Sequence, residues 1–288
     1  MCRVGKAAII GVLMLLTGCG AVRLAYNTAP QIAWWWLDGY MDFSSTHSPR
    51  VKEGLEQWFA WHRQAQLTEY ANWLALQEKR VAEPTTAAEV CAIYDQGREK
   101  FQPAIDRALL VSSELLPTLG VVQIAHLEQQ YAKKNAEFRD QNITASADAR
   151  RKLRRKRAIE SAERLYGKMQ PAQLGVIDAS LAASPYDPAV AMAAREARQR
   201  DILQTLRRWV VEKPDRGVLL ASMRALMERV EHPSDPTLRA ARQRAIEFNC
   251  RASADLHNST TPAQRQAARK KLGDWEEDLR SLASERTL

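Results

Sequence analysis

The 288-residue sequence contains few of the patterns that catalysis and metal binding require. Its histidines are scattered and form neither an HExxH motif nor another paired spacing of metal ligands. It has no G-x-S-x-G nucleophile elbow and no glycine-rich phosphate loop. Asp38 and Asp42 lie on one helical side and could form an acid or metal pair, but we expect them to cap and hydrogen-bond locally. We therefore expect a protein that is not an enzyme, with no catalytic residue, no metal and no cofactor.

Long apolar runs are also scarce. The run from Ala7 to Leu16 is about ten residues long, whereas a membrane-spanning helix needs roughly twenty. It follows the basic residues Arg3 and Lys6, which gives the amino terminus the shape of a secretory signal peptide. The run ends in Leu16-Thr17-Gly18-Cys19, which resembles a bacterial lipobox. An ordinary signal peptide with an incidental cysteine is the alternative.

The lipobox resemblance implies a processing scheme for the chain. Residues 1–18 would be removed as the signal peptide, Cys19 would carry diacylglycerol and an amide-linked acyl chain such as palmitate, and residues 19–29 would form a tether to a helical domain at 30–288. Three acyl chains exceed what stable anchoring needs. Gly20, where an aspartate would favour the inner membrane, implies anchoring in the outer membrane, with the periplasmic face favoured. The mature chain stays basic, because losing Arg3 and Lys6 lowers its net charge only from +8 to +6.

Cysteine is rare, and two cysteines remain in the body of the chain, Cys91 and Cys250. In an oxidising periplasm such a pair is most simply interpreted as one disulfide, with two buried free thiols as the alternative. Neither cysteine belongs to a CxxC motif, which argues against redox or zinc chemistry.

Strand-like alternation bounded by glycine turns is missing, and helical periodicity runs nearly throughout. Capping residues before proline, as at Asp187, Asp235 and Thr261, mark helix starts. We predict an all-α fold, an antiparallel multi-helix bundle behind the lipid-anchored tether. Pro103 and Pro117 are expected to kink or split the third helix. The predicted helices lie near 30–41, 48–81, 86–117, 120–143, 147–168, 171–182, 187–212, 215–231, 236–258 and 262–284.

A weak repeat marks several helix starts. The segments are FSSTH at 43–47, LGVVQ at 119–123, MQPAQ at 169–173 and TTPAQ at 260–264. They resemble the Leu-Thr-x-x-Gln motif of small periplasmic helical chaperones of the envelope-stress type. Generic helix capping is the simpler explanation.

A second resemblance covers most of the chain. The sequence is similar to a family of predicted proteobacterial lipoproteins of unknown function, which share a Tyr-Asn pair, a tryptophan-rich first helix and an all-helical body. The resemblance implies an anchored helical envelope protein and no reaction. Its matching positions are Tyr26, Asn27, Trp35, Trp36, Tyr40, Trp61, His62, Arg63, Leu67 and Tyr70, with Asp38 one place off the simplest spacing.

Six of the eight tryptophans fall within 40 residues. Three consecutive positions on a helix sweep about 200° of arc, so Trp34, Trp35 and Trp36 cannot share one face. We expect Trp36, Tyr40 and Phe43 to share a face that docks on the bundle; membrane contact and partner binding are the alternatives. The predicted aromatic cluster is Trp34, Trp35, Trp36, Tyr40, Trp58, Trp61 and Trp73. His62 is expected to be a hydrogen-bonded core histidine.

Seven cations occupy the eight positions of RRKLRRKR: Arg150, Arg151, Lys152, Arg154, Arg155, Lys156 and Arg157. In an exported protein this segment could bind lipopolysaccharide phosphates, anionic lipid or an acidic protein, rather than nucleic acid. A solvated helix partly neutralised by Glu160 and Glu163 is the alternative.

Two functions stay open from sequence. The first is a non-enzymatic lipoprotein that serves envelope structure or protein interaction, with envelope proteins or lipopolysaccharide as partners. The second is a chaperone-like binder of unfolded or outer-membrane client proteins. An exposed apolar groove would favour the second, and a uniformly polar surface would favour the first.

Overall fold

A computed structural model describes residues 20–285, in which every regular element is a helix. The predicted all-α class is confirmed. Besides the α-helices, a 3₁₀ turn spans Leu116–Thr118 and a π-helical turn spans Asp140–Thr144. The eleven α-helices are α1 Ala21–Met41, α2 His47–Ala65, α3 Leu67–Arg80, α4 Ala87–Leu115, α5 Val121–Arg139, α6 Ala147–Tyr166, α7 Pro171–Ala183, α8 Pro188–Glu212, α9 Arg216–Glu231, α10 Pro236–Asn258 and α11 Pro262–Ser284.

Side-chain caps start many of these helices where the sequence predicts them. Asp187 and Asp235 each accept hydrogen bonds from two backbone amides in the first turn, just before a proline at the first helical position. Thr86 and Thr261 form capping boxes with Glu89 and Gln264. Local sequence therefore determines where these helices begin.

The helices pack as a bundle in which partners are often far apart in sequence. The most extensive pairings are α3 with α11, α4 with α10, and α5 with α8. Apolar clusters lie at these contacts: Leu67 and Tyr70 meet Leu282 between α3 and α11, and Leu127 meets Leu203 between α5 and α8. The bundle expected from sequence is consistent with this packing.

The tether predicted for residues 19–29 is wrong within the described residues, because α1 already begins at Ala21. Pro30 lies inside this helix, where it removes one backbone hydrogen bond without ending the helix. Tertiary packing offsets that loss: Val22 and Tyr26 pack on the cluster between α3 and α11, and Tyr40 packs on the cluster between α5 and α8. Helix α1 therefore spans two parts of the core.

Two other boundaries differ from prediction. The helix predicted at 48–81 bends at Gln66, where φ is −116° and the side chain is buried. No glycine or proline marks this bend. By contrast, Pro103 does not split α4, which runs unbroken to Leu115 before the 3₁₀ turn that contains Pro117.

Between residues 20 and 285, no individual helix combines the length and the apolar composition that a membrane span requires. Two consecutive segments, Ala87–Thr118 and Val121–Thr144, have this length and composition when taken together, but the chain bends by 118° where they join.

Candidate functional site: the first helix and its contacts

The three consecutive tryptophans of α1 point to different sides of the helix. Trp34 is only 8% exposed, whereas Trp35 and Trp36 are 65% and 61% exposed. The ring of Trp34 stacks on Phe43 with 5.8 Å between centroids, and Lys52 Nζ lies 4.7 Å from the Trp34 ring centre. Helix α1 docks on the bundle as expected, but Trp34 is the tryptophan that docks.

The expectation that Trp36, Tyr40 and Phe43 share a docking face is wrong. Trp36 contacts Tyr40 at 4.8 Å between ring centroids but stays largely in solvent. Phe43 lies beyond the end of α1, after the left-handed residue Asp42 (φ 48°) turns the chain back toward Trp34. Helical periodicity could not place Phe43, because the helix stops before it.

The tryptophans of α2 and α3 pack largely against α4. The seven aromatic residues predicted as one cluster are therefore divided between the two sides of α1 and the α4 interface. The contacts are Trp58 Nε1 donating to the Ala104 carbonyl at 3.0 Å, Arg107 lying over the Trp61 ring at 5.8 Å, and Trp73 lying against Gly97.

Two motifs that carry the family resemblance contact each other. The Tyr26 hydroxyl lies 2.9 Å from His62 Nδ1. Beside it, Arg63 donates to Asn27 Oδ1 at 2.7 Å and pairs with Glu285 at 2.9 Å. The Tyr-Asn pair of α1 thus binds to the Trp-His-Arg segment of α2 through side-chain hydrogen bonds. Sequence reasoning missed Glu285, because nothing in the chain signals a contact between its two ends.

His62 is a buried histidine with a fixed hydrogen-bonding partner, as predicted. Its ring stacks on Trp58 at 4.6 Å and approaches Tyr70 at 5.4 Å. Burial lowers the pKa of His62 to about 4, so it is neutral at physiological pH. Burial also raises the pKa of Tyr26 to about 12, with Arg63 opposing the shift. Each group is held in its uncharged form, and the pair acts as a docking contact.

A largely apolar cavity of about 470 Å³ lies between α1, α2, α4 and α8. Two polar groups in its wall bond within the protein: Trp58 Nε1 donates to the Ala104 carbonyl, and Ser112 Oγ donates to the Ala108 carbonyl at 2.6 Å. Arg50 is the charged residue of the lining. This volume and this apolar wall are typical of a site for an apolar group.

The repeated helix starts do more than cap their own helices. Gln173 and Gln264 are buried, and each accepts a hydrogen bond from the N-cap amide of its helix. Each also reaches into the other's loop: Gln173 Nε2 donates to the Ser259 carbonyl at 2.8 Å, and Gln264 Nε2 donates to the Lys168 carbonyl at 3.0 Å. The repeat therefore clamps two loops together.

The two earlier copies of the repeat form a second clamp. Gln123 Nε2 donates to the Asp42 carbonyl at 3.3 Å, and His47 Nε2 lies 3.0 Å from the Thr118 carbonyl. His47 thus occupies the position that glutamine holds in the other copies. Generic capping explains the hydrogen bonds that the glutamines accept from their own helix starts, but not those that they donate to other loops.

Residues 39–232 match a family of unknown function, DUF6279. The match covers about two thirds of the chain. The protein belongs to DUF6279. No curated protein and no solved structure gives a significant match to this chain.

The DUF6279 span contains the α2 side of the docking contact and the loop clamp formed by Gln123 and His47. His62, Arg63 and Gln123 lie inside it, whereas Tyr26 and Asn27 precede it. The other loop clamp pairs Gln173, inside the span, with Gln264, outside it. In this DUF6279 protein, flanking helices therefore complete contacts that begin within the family region.

The same holds for the cysteines of this DUF6279 protein. Cys91 and Cys250, predicted as one disulfide, are bonded in the structure with 5.4 Å between their Cα atoms. The bond joins α4, inside the family span, to α10, outside it.

Most cations of the predicted basic segment are engaged within the protein. Arg155 pairs with Asp178 at 2.7 Å, and Arg150 donates to the Ile143 and Ala145 carbonyls. The other contacts are Arg151 with Asp148, Arg154 with Tyr186, Lys156 with Glu160, and Arg157 with Gln141. Lys152 is exposed. Binding of an anionic partner by residues 150–157 stays a prediction. Such a partner would have to compete with these contacts.

The candidate acid pair behaves as local capping predicts. Asp38 Oδ1 accepts a hydrogen bond from the Phe43 amide at 3.1 Å, and Asp42 ends α1. Among residues 20–285, no group of three or more His, Cys, Asp or Glu side chains could hold a metal ion. The predicted signal peptide and Cys19 lie outside the described residues.

Proposed function

We propose that this DUF6279 protein is a lipoprotein anchored through Cys19 in the outer membrane of a Gram-negative bacterium, where it serves a non-enzymatic structural or protein-interaction role on the periplasmic face. The sequence support is the short apolar run that ends in Leu16-Thr17-Gly18-Cys19. The outer membrane is favoured over the inner membrane because Gly20, not aspartate, follows the cysteine.

The observation that carries the proposal is the disulfide between Cys91 and Cys250. Disulfides persist in oxidising compartments such as the periplasm and are rare in the cytosol. A signal segment and a disulfide are independent features, and both favour export.

An interaction role is favoured over catalysis by the state of the polar groups around α1. Tyr26, His62 and Arg63 are occupied in fixing α1 to α2. Because burial holds the pKa of His62 near 4, this histidine is a poor general base.

Palmitate labelling in cells tests the anchor. The native protein should incorporate label and sediment with membranes, and Cys19→Ala should lose both properties. Cys2→Ala is the matched control and should behave like the native protein. Lipid labelling of the Cys19→Ala variant would refute the anchor.

Membrane fractionation tests the sorting. Gly20→Asp should move the labelled protein from the outer to the inner membrane fraction, whereas Gly20→Ser should leave it in the outer membrane. Recovery of the native protein in the inner membrane would contradict outer-membrane placement.

A second candidate function, chaperone-like binding of apolar client segments, is favoured by the cavity between α1, α2, α4 and α8. The purified protein should suppress aggregation of a urea-unfolded outer-membrane β-barrel. Ala108→Phe, which fills this cavity, should weaken suppression several-fold, whereas Ala158→Phe in a separate pocket should not. Melting curves verify that both variants fold. Equal suppression by both variants, or none by the native protein, would contradict this function.

A further inference from the structure

Helix α1 exposes a continuous apolar stripe on the side that faces away from the bundle. Leu24 and Ile32 are 61% and 54% exposed, and Trp35 and Trp36 are similarly exposed. At about 100° per residue, the four side chains fall within about 120° of arc, the width of the apolar face of an amphipathic helix. They extend over about 18 Å of the helix axis. Since the opposite side of α1 is docked, the helix has two apolar faces.

The stripe carries no charge. Thr28, within it, donates its hydroxyl to the Leu24 and Ala25 carbonyls at 3.0 and 3.1 Å, which satisfies its polar group inside the helix. The charged side chains of α1 are engaged elsewhere: Arg23 pairs with Glu285 at 2.6 Å, and Asp38 accepts from the Phe43 amide. A surface without charge over several turns is suited to a non-aqueous neighbour.

We propose that the stripe formed by Leu24, Ile32, Trp35 and Trp36 lies in the headgroup region of the membrane that holds the protein. This inference rests on the proposed lipid anchor. Only Gly20 separates Cys19 from the first residue of α1, so an anchor at Cys19 holds the start of this helix at the bilayer surface. Tryptophan rings favour the membrane–water interface, and a helix with one apolar face can lie in its plane.

The position of the helix follows from its two faces. Trp34 and Tyr26 fix the inner face to the bundle. The outer face is then the side of α1 that is free to meet the membrane beside the anchor. The stripe would add a second point of attachment to the acyl chains and would orient the whole bundle relative to the membrane. An anchor on a flexible tether would leave that orientation free.

Fluorescence quenching by brominated phospholipid tests the inference on the full lipidated protein in phosphatidylethanolamine and phosphatidylglycerol vesicles. Bromine on the acyl chains should quench roughly a quarter of the emission, because two of the eight tryptophans lie in the stripe. The double variant Trp35→Phe and Trp36→Phe should lose this quenching. Trp275→Phe on α11 is the matched control and should keep it. Equal quenching in the double variant and the control would overturn the proposal.

A photo-crosslinking residue at Ile32 distinguishes the possible occupants. A lipid adduct in vesicles supports the proposal, whereas a dimer of this chain or an adduct with another envelope protein, without lipid adduct, overturns it. The anchor is tested separately by lipid labelling of Cys19. A protein that is labelled at Cys19 but shows no quenching of Trp35 and Trp36 refutes the membrane-facing stripe and leaves the anchor intact.

Discussion

Three neighbouring tryptophans show how a rotation of about 100° per residue divides one motif between two environments. Trp34 is buried, and Trp35 and Trp36 are exposed. The sequence shows that the three rings cannot share a face, but it cannot show which ring turns inward. That choice depends on Phe43, which returns to Trp34 through a turn at Asp42.

We predict losses of stability of very different size for substitutions of two tryptophans that lie two residues apart. Trp34→Ala should lower the free energy of unfolding by about 3–5 kcal/mol, as expected for truncation of a buried aromatic side chain. Trp36→Ala should change it by less than about 1 kcal/mol, because the ring is largely in solvent. Urea unfolding of both variants measures the difference. Equal losses, or a larger loss for Trp36→Ala, would show that the docking face is misassigned.

His62 gives a pH-dependent prediction. Its pKa is lowered from 6.5 to about 4 in the folded protein, so the unfolded chain binds its proton first as the pH falls. The stabilisation that comes from keeping His62 neutral is therefore fully present above pH 6.5. As the pH falls toward 4, the free energy of unfolding decreases by on the order of 2–3 kcal/mol. His62→Gln should make the unfolding free energy less steep in this window. His232→Gln, on an exposed side chain, is the control. An unchanged slope for His62→Gln would show that the pKa is not lowered.

Many helices in this protein begin where local capping dictates, but they pack against partners that local sequence does not reveal. The boxes at Thr86 and Thr261 are visible as short motifs, and the structure confirms them. The start of α1 was missed because Pro30 looks like a boundary, although packing of Val22 and Tyr26 stabilises the segment before it. The sequence prediction also does not reveal the exposed stripe. Leu24 and Ile32 have helical spacing, but Leu24 lies in the segment predicted to be a tether.

Cross-loop contacts set a further limit on sequence reasoning. The glutamines of the repeat signal helix starts, but their second bonds, such as Gln264 to the Lys168 carbonyl, require two loops to meet in space. Likewise, the pairing of Tyr26 with His62 depends on how α1 crosses α2. A single sequence shows which motifs are present, and the fold determines which of them meet.

The disulfide links α4 to α10 across 159 residues. Closing a loop of this length should stabilise the fold by up to roughly 5 kcal/mol in the chain-entropy model. Reduction with a phosphine should therefore lower the melting temperature markedly, and Cys91→Ala with Cys250→Ala should melt at the reduced value with or without the reductant. Non-reducing peptide mapping of protein from the periplasm should link the two cysteines. Free alkylation of both would contradict the bond.

For the whole molecule, membership of DUF6279 and the all-α bundle are established, and the cellular role is a proposal. In the proposed envelope protein, the anchor at Cys19 holds docked α1 and the disulfide-bonded bundle at the membrane. The proposed features of this protein depend on one another. The membrane-facing stripe needs the anchor, and the acyl chain on the Cys19 amine needs cleavage before Cys19.

Mass spectrometry of the amino-terminal peptide, from protein extracted out of purified membranes, tests this account most directly. If the proposed function is correct, the first residue is Cys19, carrying a diacylglyceryl group on its sulfur and an acyl chain on its amine. A peptide that begins at Met1, or an amino terminus at Cys19 without lipid, would contradict it.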